Sequence, residues 1–175
     1  YCNFKRADFL KYLPADLVSY MEYITNINRE RNKQIISQAQ ELNSVLLANN
    51  IRPIFLKGTG NLLADIYEDI GERMVGDIDF IFSKEEYPKA ITILREFGYS
   101  EVKKQEYYAP NEFRHYRRLH KENNIAAIEI HKELLIEKYE NEFNYSFVEK
   151  NSQVIKGVTV LSYANKLNLS IIANQ

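Results

Sequence analysis

Two aspartates one residue apart open the run Asp77-Ile78-Asp79-Phe80-Ile81-Phe82. Side chains along a strand alternate between its faces, so residues i and i+2 point the same way. If this apolar run is a buried strand, both carboxylates project together from its start. Adjacent anions repel, and a cation between them relieves the repulsion. Hard divalent ions with oxygen ligands suit such a pair, Mg²⁺ above all, with Mn²⁺ as an alternative. The same spacing also describes a solvated turn that carries two aspartates ahead of a strand. A third carboxylate comes later. In a strand over 124–132, Ile125, Ala127, Glu129 and His131 share one face, and Ala126, Ile128 and Ile130 the other. A carboxylate inside an apolar strand is costly unless it is paired or metal-linked. The inferred sheet lets Glu129 sit beside Asp77 and Asp79; the alternative is a solvent-facing Glu129. His131, on the same face, reads as a ligand, a base or a hydrogen-bonded structural histidine.

Three further groups could act on phosphate. Leu56-Lys57-Gly58-Thr59-Gly60 ends a strand and turns into a helix, where backbone N–H groups form an anion site or simply a strand-to-helix turn. The stretch lacks the Gly-Lys-Ser/Thr ending of a P-loop and the third glycine of a dinucleotide fingerprint. Arg73 reaches either a phosphate or a site carboxylate, or else pairs at the surface with Glu72 or Asp69. The basic run from Arg114 to Lys121 places Arg114, Tyr116, Arg118 and His120 on one strand face. Such a face holds a triphosphate or a nucleic-acid backbone, or is an edge strand that charge protects from aggregation.

These residues need elements to hold them. Residues 7–25 read as a short helix or two, with Pro14 in a first turn. The clearest helix is 29–49, where Ile35, Ile36, Ala39, Leu42, Val45 and Leu46 form one stripe and Asn49-Asn50 is the stop. A first strand is expected at 53–57, then a helix at about 60–68 with Thr59 as N-cap. The loop 69–76 leads into the carboxylate strand 77–82. A helix over 84–97 follows, with a Ser83/Glu86 capping box and Gly98 as its stop. Strands are expected at 99–107, 113–120 and 124–132, with a turn at 109–111 and a tight Asn-Asn hairpin at 121–124. Beyond them come helix or loop at 137–152, a hairpin turning at Lys156-Gly157, and a last helix capped by Ser162.

The Leu56-Lys57-Gly58 turn, the following helix, Arg73 and Asp77-Ile78-Asp79-Phe80-Ile81 together resemble the nucleotidyltransferase superfamily, most of all the bacterial uncharacterised nucleotidyltransferases. The resemblance covers roughly residues 30–135, and the DxD strand is its most specific part. Gly58-Thr59 stands where the common signature has Gly-Gly or Gly-Ser. The resemblance implies an α+β fold, a nucleotidyltransferase-type mixed β-sheet flanked by helices, with N-terminal helices. Residues 1–50 would pack on a core at 51–135, followed by an extension at 136–175 that is expected to be truncated. It implies metal-dependent transfer of a nucleoside monophosphate from a nucleoside triphosphate to an unidentified hydroxyl, on a small molecule, a protein or an RNA end. Asp77 and Asp79 would hold two Mg²⁺ ions about 3.5–4 Å apart, and Glu129 would join them on the acceptor side and help deprotonate the hydroxyl. Lys57, Gly58, Thr59 and Arg73 would bind phosphate, Gly58 and Thr59 through backbone and hydroxyl groups. A catalytically weak binding module, an antitoxin-like or regulatory partner, is the alternative.

Composition narrows the rest. The chain has 175 residues, 45% hydrophobic and 27% charged, as expected of a soluble globular domain. No apolar run approaches the roughly 18 residues of a membrane span, and no signal peptide is visible. The first residue is Tyr1, so an N-terminal piece is expected to be missing. The lone Cys2 excludes an internal disulfide and a cysteine-based zinc site, and a reducing, cytoplasmic setting is expected. A net charge of -1 argues against an electrostatic nucleic-acid binder, so no DNA partner is expected.

Overall fold

The computed structural model describes residues 1–102, 115–135 and 142–172. Helix α1 (Cys2–Arg6) and a 3-10 turn at Leu10–Tyr12 precede the long α2 (Ala15–Ala48). Then come β1 (Ile54–Phe55), α3 (Lys57–Leu63), a 3-10 turn at Ile70–Glu72, β2 (Asp77–Ile81) and α4 (Tyr87–Glu96). The remaining described elements are β3 (Ser100–Glu101), β4 (Leu119–His120), β5 (Ala127–His131), α5 (Tyr145–Lys150), β6 (Ser152–Ile155), β7 (Val158–Leu161) and α6 (Tyr163–Ile172). The strands form one mixed sheet in the order β3-β4-β5-β2-β1-β7-β6. At its centre β2 runs parallel to β5 and antiparallel to β1, and β1 runs parallel to β7. This is the α+β class, a mixed sheet flanked by helices.

Each face of the sheet has its own apolar layer. On one face Ile35, Ala39, Leu42 and Leu46 of α2 pack with Phe55, Ile78, Phe80, Phe82, Ile128 and Ile130. On the other, Ile54, Leu56, Ile81 and Leu161 meet Val148 of α5 and Leu169 of α6. Period-two alternation therefore turns Ile78 and Phe80 toward α2, and Asp77, Asp79 and Ile81 toward the opposite side. The carboxylates share that second face.

Helix α2 is continuous where separate helices over 7–25 and 29–49 were expected, and Pro14 lies just before its first residue. Thr25, Asn26 and Asn28 are weak helix formers, but none is Gly or Pro, and each costs only about 0.5–0.7 kcal/mol. Tertiary contacts outweigh that cost. Arg29 grips Asp69 through two hydrogen bonds of 3.0 and 2.6 Å. The buried Asn32 amide donates to the carbonyls of Ile70 and Arg73, both at 2.6 Å. Arg31 donates to the carbonyls of Val75 and Gly76 at 3.0 and 3.2 Å. These polar side chains clamp the loop that leads into Asp77.

Other boundaries shift for similar reasons. Strand β5 starts at Ala127 rather than 124, because the Gln38 side chain takes both backbone groups of Ala126, at 2.9 and 3.2 Å. The expected turn over 121–124 forms, with the Asn124 N–H donating to the Lys121 carbonyl at 3.1 Å and Asn123 at φ 65°, but β4 and β5 pair at Leu119 and Ile128, so the connection is wider than a tight hairpin. Ser83 and Glu86 do bond reciprocally, but they close a turn and α4 begins only at Tyr87. The hairpin at Lys156-Gly157 is present, both residues having positive φ. The expected strand parts and turn within 103–114, with Arg114, lie outside the described residues.

Candidate active site

Parallel pairing of β2 with β5 sets Asp79 directly opposite Glu129, Asp77 opposite Ala127 and Ile81 opposite His131. Side chains at register partners on one face are neighbours. Asp79 and Glu129 thus meet on two rigid central strands, with His131 next along the face. Asp79 and His131 are buried, and the Glu129 side chain is 12% exposed.

Two cations of the chain lie among the carboxylates. Arg118, on the segment entering β4, bridges Asp77 Oδ2 at 3.0 Å and Glu129 Oε1 at 2.6 Å through Nη2, and its Nε also reaches Glu129 Oε1 at 3.1 Å. Lys57 lies between the other two acids, with Nζ 2.6 Å from Asp79 Oδ1 and 3.8 Å from Glu129 Oε2. Lys57 follows β1, and its φ of 48° turns the chain sharply into α3. His131 Nε2 donates to Asp79 Oδ1 at 2.9 Å. Three carboxylates against Lys57 and Arg118 leave one net negative charge.

The two aspartates respond differently to this setting. Burial pushes the Asp77 carboxyl above its ordinary value; Arg118 opposes this, and Glu129 and Asp79 add to it. Burial also acts on Asp79, but the His131 hydrogen bond and the Lys57 ammonium outweigh it and hold that carboxyl below its ordinary value. The hydrogen bond to Glu129 raises Arg118, which stays protonated.

The turn of Lys57, Gly58 and Thr59 adjoins these groups but differs in detail from the expectation. Helix α3 begins at Lys57, not near residue 60, and no side chain caps it. Thr59 is fully buried, and its hydroxyl donates to the Asp77 carbonyl at 2.8 Å. That hydroxyl ties α3 to the carboxylate strand and is not turned toward a phosphate, a correction to its expected role. The first-turn amides of Lys57, Gly58 and Thr59 belong to the positions that a helix leaves without intrahelical acceptors. Lys166 of α6 lies against the same helix; its Nζ donates to the Gly60 carbonyl at 3.3 Å, and burial pushes it down to about 8.

Arg73 is not brought to the carboxylates. It is exposed and lines a cleft of about 540 Å³ with Tyr1, Cys2, Tyr20, Met21 and Tyr67. Arg118 stands where Arg73 was expected. Its only signal in the sequence was its place on one face with Tyr116 and His120, which equally described a solvated edge strand. Lys166 gave no signal, because its contact depends on how α6 crosses α3. A larger cleft, about 900 Å³, opens beyond the far end of β2 and is lined by Arg52, Lys84, Glu86, Glu133 and Tyr145; it holds none of these groups.

The donor set fits a divalent cation. Asp79, Glu129 and His131 each offer a ligand atom, and these atoms all lie within 4.8 Å of one another. The Lys57 ammonium already lies between two of the acids, so the space suits positive charge. Asp77 stands outside that trio and is linked to it through Arg118.

An acidic strand, a second acidic strand in parallel register beside it and a Lys-Gly turn on the antiparallel neighbour match the mixed-sheet arrangement implied by the resemblance to nucleotidyltransferases. The chain belongs to the uncharacterised nucleotidyltransferase family, whose sequence model matches residues 1–172. Comparison with curated proteins and with solved structures returns no match.

Proposed function

We propose that the protein transfers a nucleoside monophosphate from a nucleoside triphosphate to a hydroxyl acceptor, with divalent ions held by Asp77, Asp79 and Glu129. The observation that carries this reading is the in-register pairing of Asp79 with Glu129. A bound divalent ion neutralises phosphate charge and eases ionisation of the attacking hydroxyl. Mg²⁺ is the proposed ion. Lys57, with Gly58 and the first-turn amides of α3, binds the β- and γ-phosphates. Arg118 sets the Glu129 carboxylate, since both of its contacts there fall on Oε1. That turns Oε2, 3.8 Å from Lys57 Nζ, away from Arg118, where Glu129 helps to take the acceptor's proton. The acceptor oxygen bonds to the α-phosphorus, the bond from that phosphorus to the β-phosphate oxygen breaks, and pyrophosphate departs. Catalysis on this scheme is chiefly positioning and charge stabilisation. The acceptor is a small molecule, a protein or an RNA end.

Asp77→Asn and Asp79→Asn should each lower transfer of labelled nucleotide in the presence of Mg²⁺ by roughly 10²–10³-fold, the scale of losing one charge-stabilising group. Unchanged transfer in both variants would refute the assignment. The ion pairs of Lys57 and Arg118 support a second reading, a nucleotide-binding module of low turnover, because they compensate most of the acidic charge without a metal. Calorimetry separates the two: nucleotide affinity that is the same with and without Mg²⁺ favours the module.

A further inference from the structure

We propose that His131 supplies a nitrogen ligand to the metal and thereby gives this site a preference for a first-row transition ion, Mn²⁺, over Mg²⁺. The inference rests on the metal-dependent reading above and adds to it a residue and an ion selectivity that three carboxylates alone do not provide.

Geometry carries it. Ligands at right angles around an octahedral ion, each about 2.1 Å away, are about 3 Å apart. His131 Nε2 and Asp79 Oδ1 are separated by 2.9 Å, a contact that the Nε2 proton makes without metal; to ligate, the imidazole takes the tautomer with its proton on Nδ1, and Nε2 offers its lone pair to the ion at the same spacing. Opposite ligands at that bond length are about 4.2 Å apart, and the ligand atoms of Asp79, Glu129 and His131 all fall within 4.8 Å. One ion with small side-chain adjustments therefore touches all three. The backbone is prepared for this: Glu129 and His131 are i and i+2 on β5, and Asp79 is Glu129's register partner on β2. Both residues that share the short edge are nearly out of solvent, each side chain 8% exposed. The His115 ring packs at a tilt against His131, with centroids 5.7 Å apart. Lys57, whose ammonium contacts the same Oδ1, has a side chain 45% exposed and so has room to withdraw toward solvent.

Chemistry supplies the selectivity. Mg²⁺ takes oxygen ligands, whereas Mn²⁺, although it stands lowest in the first-row order and shares the liking for oxygen, is softer and also takes an imidazole nitrogen. An imidazole among carboxylates shifts the balance toward Mn²⁺ without excluding Mg²⁺.

Pulsed electron paramagnetic resonance on the whole chain loaded with Mn²⁺ alone tests this directly. The expected result is nuclear modulation from a directly bound imidazole nitrogen, with a changed pattern when the protein carries isotopically labelled histidine. His131→Gln keeps an N–H donor for Asp79 but has no imidazole. It should abolish the modulation and weaken Mn²⁺ binding roughly tenfold or more, while Mg²⁺ binding, measured by competition, changes much less. Bound Mn²⁺ without nitrogen modulation in the unmodified protein overturns the proposal, as does an equal loss of both ions in the variant; His131 would then only orient Asp79. The spectrum of the unmodified protein decides the matter even if the variant does not fold. Failure of the parent reading looks different: no saturable Mn²⁺ binding, with or without a nucleoside triphosphate.

Discussion

Asp77 and Asp79 are two residues apart, yet ionisation of each affects stability in opposite directions. Asp79 is held below its ordinary value, so its ionised form favours the fold. That contribution is present above the ordinary aspartate range and is lost as pH falls through the lowered value. Asp77 is pushed up by burial, so the folded protein binds its proton more tightly than the unfolded chain does. Stability then falls as pH rises through the interval between the two values, and the cost persists at neutral pH. Asp77→Asn should accordingly raise the midpoint of thermal unfolding at pH 7 by roughly 1–2 °C, and the gain should vanish near pH 3, where the wild-type carboxyl is protonated. A lower midpoint at pH 7 would show that the Arg118 contact outweighs burial. A variant that gains stability while losing transfer is the signature of a group kept for chemistry. At this scale the sequence was informative for the acids and silent on their partners. Alternation alone put Asp77 with Asp79 and Glu129 with His131. That Arg118 rather than Arg73 compensates them depends on where β4 joins β5, which no local spacing reports.

The elements that hold the site are set by a few close approaches. A Cβ on Gly60 would lie 2.6 Å from the Phe55 carbonyl oxygen, so α3 reaches β1 only through a glycine. A Cβ on Gly58 would meet only Val75 side-chain carbons, at 3.1 Å and beyond, which can shift. Gly60→Ala should therefore lose about 2–3 kcal/mol of stability, the range for overpacking against a fixed neighbour. Gly58→Ala should stay within about 1 kcal/mol by denaturant titration, yet weaken nucleoside triphosphate binding if the turn receives phosphate. Equal stability losses in the two variants would contradict this. The strands and helices were legible where their periodicity was strong, as in the α2 stripe and the carboxylate strand. The boundaries were not. Asn32, Arg31 and Gln38 read as the polar side of a helix, but they are inserted into backbone that would otherwise need strand or turn partners. Polar residues that satisfy distant carbonyls look in a sequence like residues that face water.

Across the whole molecule, charge and topology limit what the protein can do. With a net charge of -1, and with Lys57 and Arg118 paired inside the site, no broad basic surface follows from composition. Non-specific RNA affinity should be weak and, if an RNA end is the acceptor, binding should depend less steeply on salt than for a phosphate-tracking protein. Measurement of RNA binding between low and physiological salt checks this; a steep slope would assign the run ending at Lys121 to nucleic acid after all. No described helix is long and apolar enough to cross a membrane.

Strand β7 has a consequence for how the protein is made. Among the described residues it is the last strand, yet it lies inside the sheet against β1, whose Ile54 and Phe55 are almost wholly buried. Until residues 158–161 leave the ribosome, the β1 edge has no neighbour on that side, and an open apolar edge invites intermolecular pairing. Chains cut after residue 151 should be synthesised but collect in the insoluble fraction, although every proposed catalytic residue is present. The proposed catalytic acids thus emerge before the strand that closes this side of β1, and activity should appear only after residues 158–161 have emerged.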